Sequence, residues 1–243
     1  MLELCDNIIH NKPPYPIIKN LEKDVKKELF TLLDQKEYRL HFLTYLNYKR
    51  SCAPLKLGKK SFKYLGEIMV YMVKRIEIEK DFETLRYCII LSQTYYFVNI
   101  RNEKFYIVRY IDDYPLFKQD DFWNFYYVSM INQGLEELNA NKKPTDTEED
   151  RERQKGHKIF SKILAVAHNM MEFRITRETI LKYVQTYSQQ NNLSQELEEN
   201  IILAISDIKY EEKKPFREDV DIVDGNEESS SKSEAPVKKK TTP

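Results

Sequence analysis

The sequence predicts an all-α fold: an irregular helical bundle or α-superhelix of about eight helices, followed by a disordered C-terminal tail. Two observations carry that reading. Glycine occurs only five times in 243 residues, whereas a sheet protein needs it at many of its turns. Apolar side chains recur at spacings of three and four along most of the chain, alongside abundant Leu, Lys, Glu and Gln. That is the period of helices that bury one face.

Composition narrows the function classes. A helical domain near 200 residues can bury a substantial core without disulfides or metal. The 39 basic and 39 acidic side chains cancel, which argues against a nucleic-acid binder driven by bulk charge. Cys5, Cys52 and Cys88 are odd in number, far apart and without a C-x-x-C pair, so a reducing compartment is expected. The first residues lack a basic flank followed by an apolar run, so no signal peptide is expected. No apolar run approaches the roughly 18 residues of a membrane span. A soluble, cytoplasmic protein is the resulting expectation.

The elements follow in order. Residues 1–18 contain Pro13, Pro14 and Pro16 and are expected to be extended. Residues 19–209 make the helical domain. Its first helix runs from about Asn20, as the cap, to Asp34, with Leu21, Val25, Leu29, Leu32 and Leu33 in step. A second helix spans Lys36 to Lys49 and sets Tyr38, Phe42, Tyr45 and Leu46 on one side. Pro54 and Gly58 punctuate a turn. Ser61 then opens a helix striped by Phe62, Leu65, Met69, Met72 and Ile76. Asp81 caps the next one. Between Leu85 and Val98 apolar residues cover nearly the whole circumference, which predicts a buried central helix. Lys104 to Tyr110 reads as strand or helix.

After a bend at Pro115, Asp120 or Asp121 caps a helix holding Phe122, Trp123, Tyr126, Met130 and Ile131. Residues 139–147 are a polar loop, and Thr145 with Glu148 fits a capping box. The long helix beyond carries Ile159, Phe160, Ile163, Leu164, Ala167, Met170 and Met171 inward. Two further helices are expected, near Ile180–Tyr187 and over Ser194–Ile208. From 210 to 243 the chain turns to Ser, Lys and Glu without apolar period, as a disordered tail does. Its Ser229, Ser230, Ser231 and Ser233 are candidate phosphorylation sites.

Chemistry is sought at several places. His10, His41, His157 and His168 have no zinc-protease spacing, and His168, near Met170, reads as a packing histidine. Gly58-Lys59-Lys60-Ser61 has the ending of a phosphate-binding loop but lacks its upstream glycine, and reads as a helix start. There is no G-x-S-x-G elbow. The carboxylates around Glu148–Arg153 read as a solvated face. Lys49, Arg50, Lys56, Lys59, Lys60 and Lys63 gather at one turn that suits an anionic headgroup or phosphorylated partner, or an ordinary solvated corner. The aromatic runs Tyr95–Phe97 and Phe122–Tyr127 carry no interleaved Lys or Arg, and read as interhelical packing.

Asp81-Phe82, Cys88, Gln93-Thr94-Tyr95-Tyr96, Tyr110, Pro115-Leu116-Phe117, Phe122-Trp123-Asn124 and the stretch Leu164 to Phe173 including Met170 resemble the helical SET-binding-factor domain. That domain follows the DENN module in catalytically dead myotubularin-related proteins, and occurs in small eukaryotic proteins including protist regulators of small GTPases. The resemblance covers roughly residues 38–208; the family more often has tryptophan where Phe117 stands. It implies a helical interaction module connected with Rab or Rho GTPase control and membrane traffic, and it brings no catalytic residue. The expectation is therefore a non-enzymatic protein-interaction or scaffold module without cofactor or metal. Its partner would be a protein, a small GTPase or its regulator, rather than nucleic acid. The alternative is a direct exchange or activating factor, with Arg50, Arg86, Arg101 and Arg109 as candidate arginine fingers.

Overall fold

Amphipathic stripes with cap signals dominate the chain, and helices form where those stripes lie. In this computed structural model, residues 19–52, 55–141 and 147–207 are described. The predicted extended segment 1–18 and the predicted tail lie outside them. The described residues form eight α-helices, two short 3-10 turns and one two-stranded sheet. In chain order, α1 is Lys19–Leu33, α2 Lys36–Lys49, α3 Lys59–Glu79 and α4 Phe82–Ser92. The strands β1, Tyr96–Val98, and β2, Lys104–Tyr106, come next. Two 3-10 turns, Ile107–Tyr110 and Pro115–Lys118, lead into α5, Asp120–Ala140. The last three are α6, Glu148–Glu172, α7, Arg177–Gln190, and α8, Gln195–Asp207.

The caps explain several boundaries and correct others. Asp81 accepts a hydrogen bond from the Thr84 backbone N–H and starts α4 as expected. The α6 capping box is Thr147 with Asp150, two residues beyond the expected Thr145 and Glu148. Either pair fits the side-chain rule, and Thr147 has the extended backbone a cap requires, with φ −73° and ψ 166°. Asn20 is inside α1 rather than its cap, and α3 opens at Lys59 behind Gly58 instead of at Ser61. Asp120 and Asp121 occupy the first turn of α5, where their charge favours the helix N-terminus. Gln119 holds the cap position without a side-chain bond.

The predicted central helix over 85–98 ends early. Helix α4 stops at Ser92, and Tyr95 to Val98 alternates buried and half-buried. Aromatic and β-branched residues in that order suit a pleated edge. Strand β1 pairs antiparallel with β2 in the register Tyr96 with Tyr106 and Val98 with Lys104. Lys56 bridges Tyr96 in parallel on the other side. The ambiguous segment 104–110 is thus half strand and half 3-10 turn.

Packing divides between α1–α4 and α5–α8, with α4 against α5 joining the groups. One continuous apolar core runs through both. Gly66 on α3 is needed where the Tyr110 ring crosses, because an added Cβ would sit 2.6 Å from it.

Candidate functional site

Helix α2 buries Phe42, Leu43 and Leu46 on one stripe, and Arg39 shares that stripe although it is charged. Its guanidinium is fully buried. It donates to the carbonyls of Leu33 and Asp34 at 3.0 and 2.9 Å, which end α1. It also forms an ion pair with Glu79 and lies 3.8 Å from Asp81. One side chain thereby ties together the ends of α1 and α3 and the start of α4. A buried cation persists only when it is paired and hydrogen-bonded, and here the two terminal nitrogens of the guanidinium meet that condition.

Asp81 is the other centre of this cluster. Burial alone would raise its carboxyl, but hydrogen bonds from Thr84 and Lys36 outweigh burial and hold it below the ordinary aspartate range. Lys36 contacts it at 3.0 Å, and the hydrogen bond to Asp81 pushes the lysine up in turn.

Outside this cluster opens a groove of about 540 Å³. Three cations, Lys36, Lys80 and Arg86, alternate with three carboxylates, Glu79, Asp81 and Glu83. Phe82 and Phe125 supply aromatic rings to its lining, with ring centroids 5.8 Å apart. Arg86 donates to Ser129 at 2.8 Å and lies over the Tyr87 ring. Phe125 and Val128 remain 38% and 48% exposed on the outer face of α5. These are enough to leave an apolar ridge beside the groove.

The residues that carry the resemblance to the SET-binding-factor domain fall into two groups. Asp81 and Phe82 line the groove, and Phe82 packs edge-on against Phe122 at 5.7 Å. Cys88, Trp123 and Met170 are in the core, where burial pushes the Cys88 thiol up to about 12. Tyr95 is buried and donates to the Leu46 carbonyl at 2.8 Å. Tyr96 stands on the open face of the hairpin, Pro115 opens a 3-10 turn, and Asn124 accepts from Tyr187 at 3.1 Å. The signature is therefore partly packing and partly surface, and does not converge on one reaction centre.

Three other expectations can be placed. His168 is exposed, not packed. It falls between Ala167 and Met170 along the sequence, but about 100° per residue turns it to the outer face of α6. His41 and His157 are exposed too, and His10 is outside the described residues. Glu148, Asp150 and Glu152 pair with Arg151, Arg153 and Lys155 on the solvated face of α6. Among the described residues, no group of three His, Cys, Asp or Glu is arranged to hold a metal. Nor is any helix there long and apolar enough to cross a membrane.

Compared with family models, with curated proteins and with solved structures, the chain matches none. Arg39 and Glu79 were missed by sequence reading. The signal was an arginine on the buried stripe Arg39, Phe42, Leu43, Leu46, which has no place on an apolar face unless an acid faces it.

Proposed function

We propose that the chain is a non-catalytic protein-interaction module that docks a partner segment in the groove between α2, α4 and α5. The observation that carries this is the lining: two phenylalanine rings set among charges of both signs. Apolar anchors give contact area, and a rim of mixed charge gives register and selectivity. The chemistry of Asp81 favours docking over proton transfer. A general acid needs a raised pKa, whereas Asp81 is held low and is already engaged with Thr84, Lys36 and Arg39.

The SET-binding-factor resemblance gives the first partners to test, small GTPases of the Rab and Rho types or their regulators. Lys36 and Lys80 line the groove, so amine-reactive crosslinking in native cells reports on it. A protein joined through these two lysines supports the reading; partners joined only through lysines remote from the groove would overturn it.

A direct regulator of nucleotide exchange or hydrolysis is the second reading. Of the four candidate arginines, Arg86 lines the groove, which favours it. Nucleotide release and hydrolysis measured across Rab and Rho proteins separate the readings. No acceleration by the intact chain removes the second and leaves the first standing.

A further inference from the structure

The corner around Lys56 joins two stretches that are separate in sequence. Leu57 N–H donates to the Tyr96 carbonyl at 2.7 Å, and Tyr96 N–H donates to Leu55 at 3.1 Å. Residues 55–57 are thereby laid along β1 as a third extended segment. Alternation does the rest. Leu57, Phe97 and Ile107 turn into the core, while Tyr96, Tyr106 and Lys104 share the outward face of the sheet, with Lys56 exposed beside them. Lys104 Nζ rides 4.0 Å above the Tyr96 ring, and the two tyrosine rings lie 5.6 Å apart.

The charge here is one-sided. Residues 48–63 contain Lys49, Arg50, Lys56, Lys59, Lys60 and Lys63 and no acid. The hairpin 96–106 adds Arg101 and Lys104, against the single carboxylate of Glu103. In a chain of zero net charge this is a local concentration of cation. Arg50, Lys56, Lys60 and Arg101 are exposed. The hairpin tip is also ordered for display. The Asn99 side chain accepts from the backbone of Arg101 and Glu103 at 2.9 and 3.0 Å, and donates to the Glu103 carboxylate at 2.8 Å. That arrangement engages the carboxylate of the hairpin and leaves Ile100, 53% exposed, at the tip.

We infer that this corner is a docking surface for an anionic lipid bilayer. Lysine and arginine would face the headgroups, Tyr96 and Tyr106 would sit at headgroup level, and Ile100 would enter the acyl boundary. Amphipathic rings flanked by long cationic side chains suit that interface, and each cation near an anionic surface strengthens binding about fivefold. The chemistry favours a bilayer over single-stranded nucleic acid. Bases need an open ring face to stack on, and here the Tyr96 face is covered by Lys104. This surface is independent of the groove, and its failure would leave the groove proposal untouched.

The test is co-sedimentation of the full chain with phosphatidylcholine vesicles, with and without phosphatidylserine, at low and high salt. Binding is expected only with phosphatidylserine and is expected to be lost at high salt. The double substitution Lys56→Glu with Lys60→Glu should weaken it more than about twentyfold, since two favourable charges become unfavourable. Ile100→Ser should weaken it severalfold without changing the salt dependence. All three positions are exposed, and an unchanged thermal midpoint verifies that the variants fold. Equal sedimentation with both vesicle types overturns the proposal, as does undiminished binding by the charge variant. So does a single-stranded oligonucleotide that competes the chain off the vesicles at equal phosphate.

Discussion

Two aromatic clusters on this molecule have similar residues and opposite surroundings. At the junction of α5, α6 and α7, Trp123 packs among Phe122, Tyr126 and Phe173, and its Nε1 donates to the Phe117 carbonyl at 2.8 Å. Asn169 donates to the Tyr126 hydroxyl at 2.9 Å. Nearby, Tyr127 is stacked on Tyr187 at 4.5 Å and near-parallel to Tyr183 at 5.5 Å. In the hairpin, Tyr96 and Tyr106 make one tilted contact and meet a lysine and solvent instead. Ring content alone does not distinguish the two. What does is whether each polar tip finds a fixed partner inside the fold. At the junction almost every tip is held by another helix or by backbone, so those rings hold helices together; in the hairpin the Tyr106 hydroxyl pairs with Lys104 on the same outward face, and both rings stand at the surface.

The largest test of that contrast is Trp123→Ala. Removing a fully buried indole from the junction should cost ~3–5 kcal/mol in chemical denaturation, whereas Tyr96→Ala in the hairpin should cost about 1 kcal/mol or less. Similar losses at both positions would erase the distinction. Because Trp123 is the sole tryptophan, its emission also reports directly: it should be blue-shifted and shielded from acrylamide in the folded chain.

Arg39→Ala comes next, at about 3 kcal/mol, since it leaves Glu79 and Asp81 beside a cavity and uncaps the end of α1. Asp81→Asn is a gentler probe of the same cluster. Asparagine keeps the cap but loses the charge facing Lys36 and Arg39, so a loss of about 1–2 kcal/mol near neutral pH is expected. The folded-state pKa of Asp81 lies below the ordinary value of 3.8. Its contribution is complete above that value and fades as pH falls through the folded pKa. Thermal melts of parent and variant should therefore converge in acid and diverge towards neutrality.

The smallest effect is Tyr127→Phe. The buried Tyr127 hydroxyl has no hydrogen-bond partner among the described residues, and burial pushes the phenol far up. Removing an unpaired buried hydroxyl should be neutral or stabilise by up to about 1 kcal/mol, by urea denaturation. A clear loss would mean that this tip is satisfied like its neighbours.

Much of the fold was legible because helix stripes are local. Phe62, Leu65, Met69, Met72 and Ile76 are a buried face of α3 whichever neighbours they meet. The early end of α4 was not legible. An apolar run buried on all sides reads alike as helix or strand until the partner strand is known, and β2 lies six residues further on. His168 is exposed for a related reason: neighbours along a helix do not share a face, since each residue turns about 100° from the last. The groove was half legible. Asp81 stood out as a cap, and Phe82 as part of the signature. Lys36, Glu79 and Arg86 are ordinary helix-surface residues until α2, α3 and α4 meet. The basic corner was visible as a run of lysines, but its outward tyrosines and the Ile100 tip required the pairing of residues 55–57 with β1.

Phe125 gives the most direct test of the central claim, that exposed rings at the groove serve a partner while buried rings serve the fold. Protein capture from native cells should be quantified for the full chain, for Phe125→Asp and for the control Leu203→Asp on the exposed face of α8, at equal folded fraction. The account predicts that proteins crosslinked to the parent through Lys36 or Lys80 are lost with Phe125→Asp and kept with Leu203→Asp. Undiminished capture of those proteins by the Phe125 variant would contradict it.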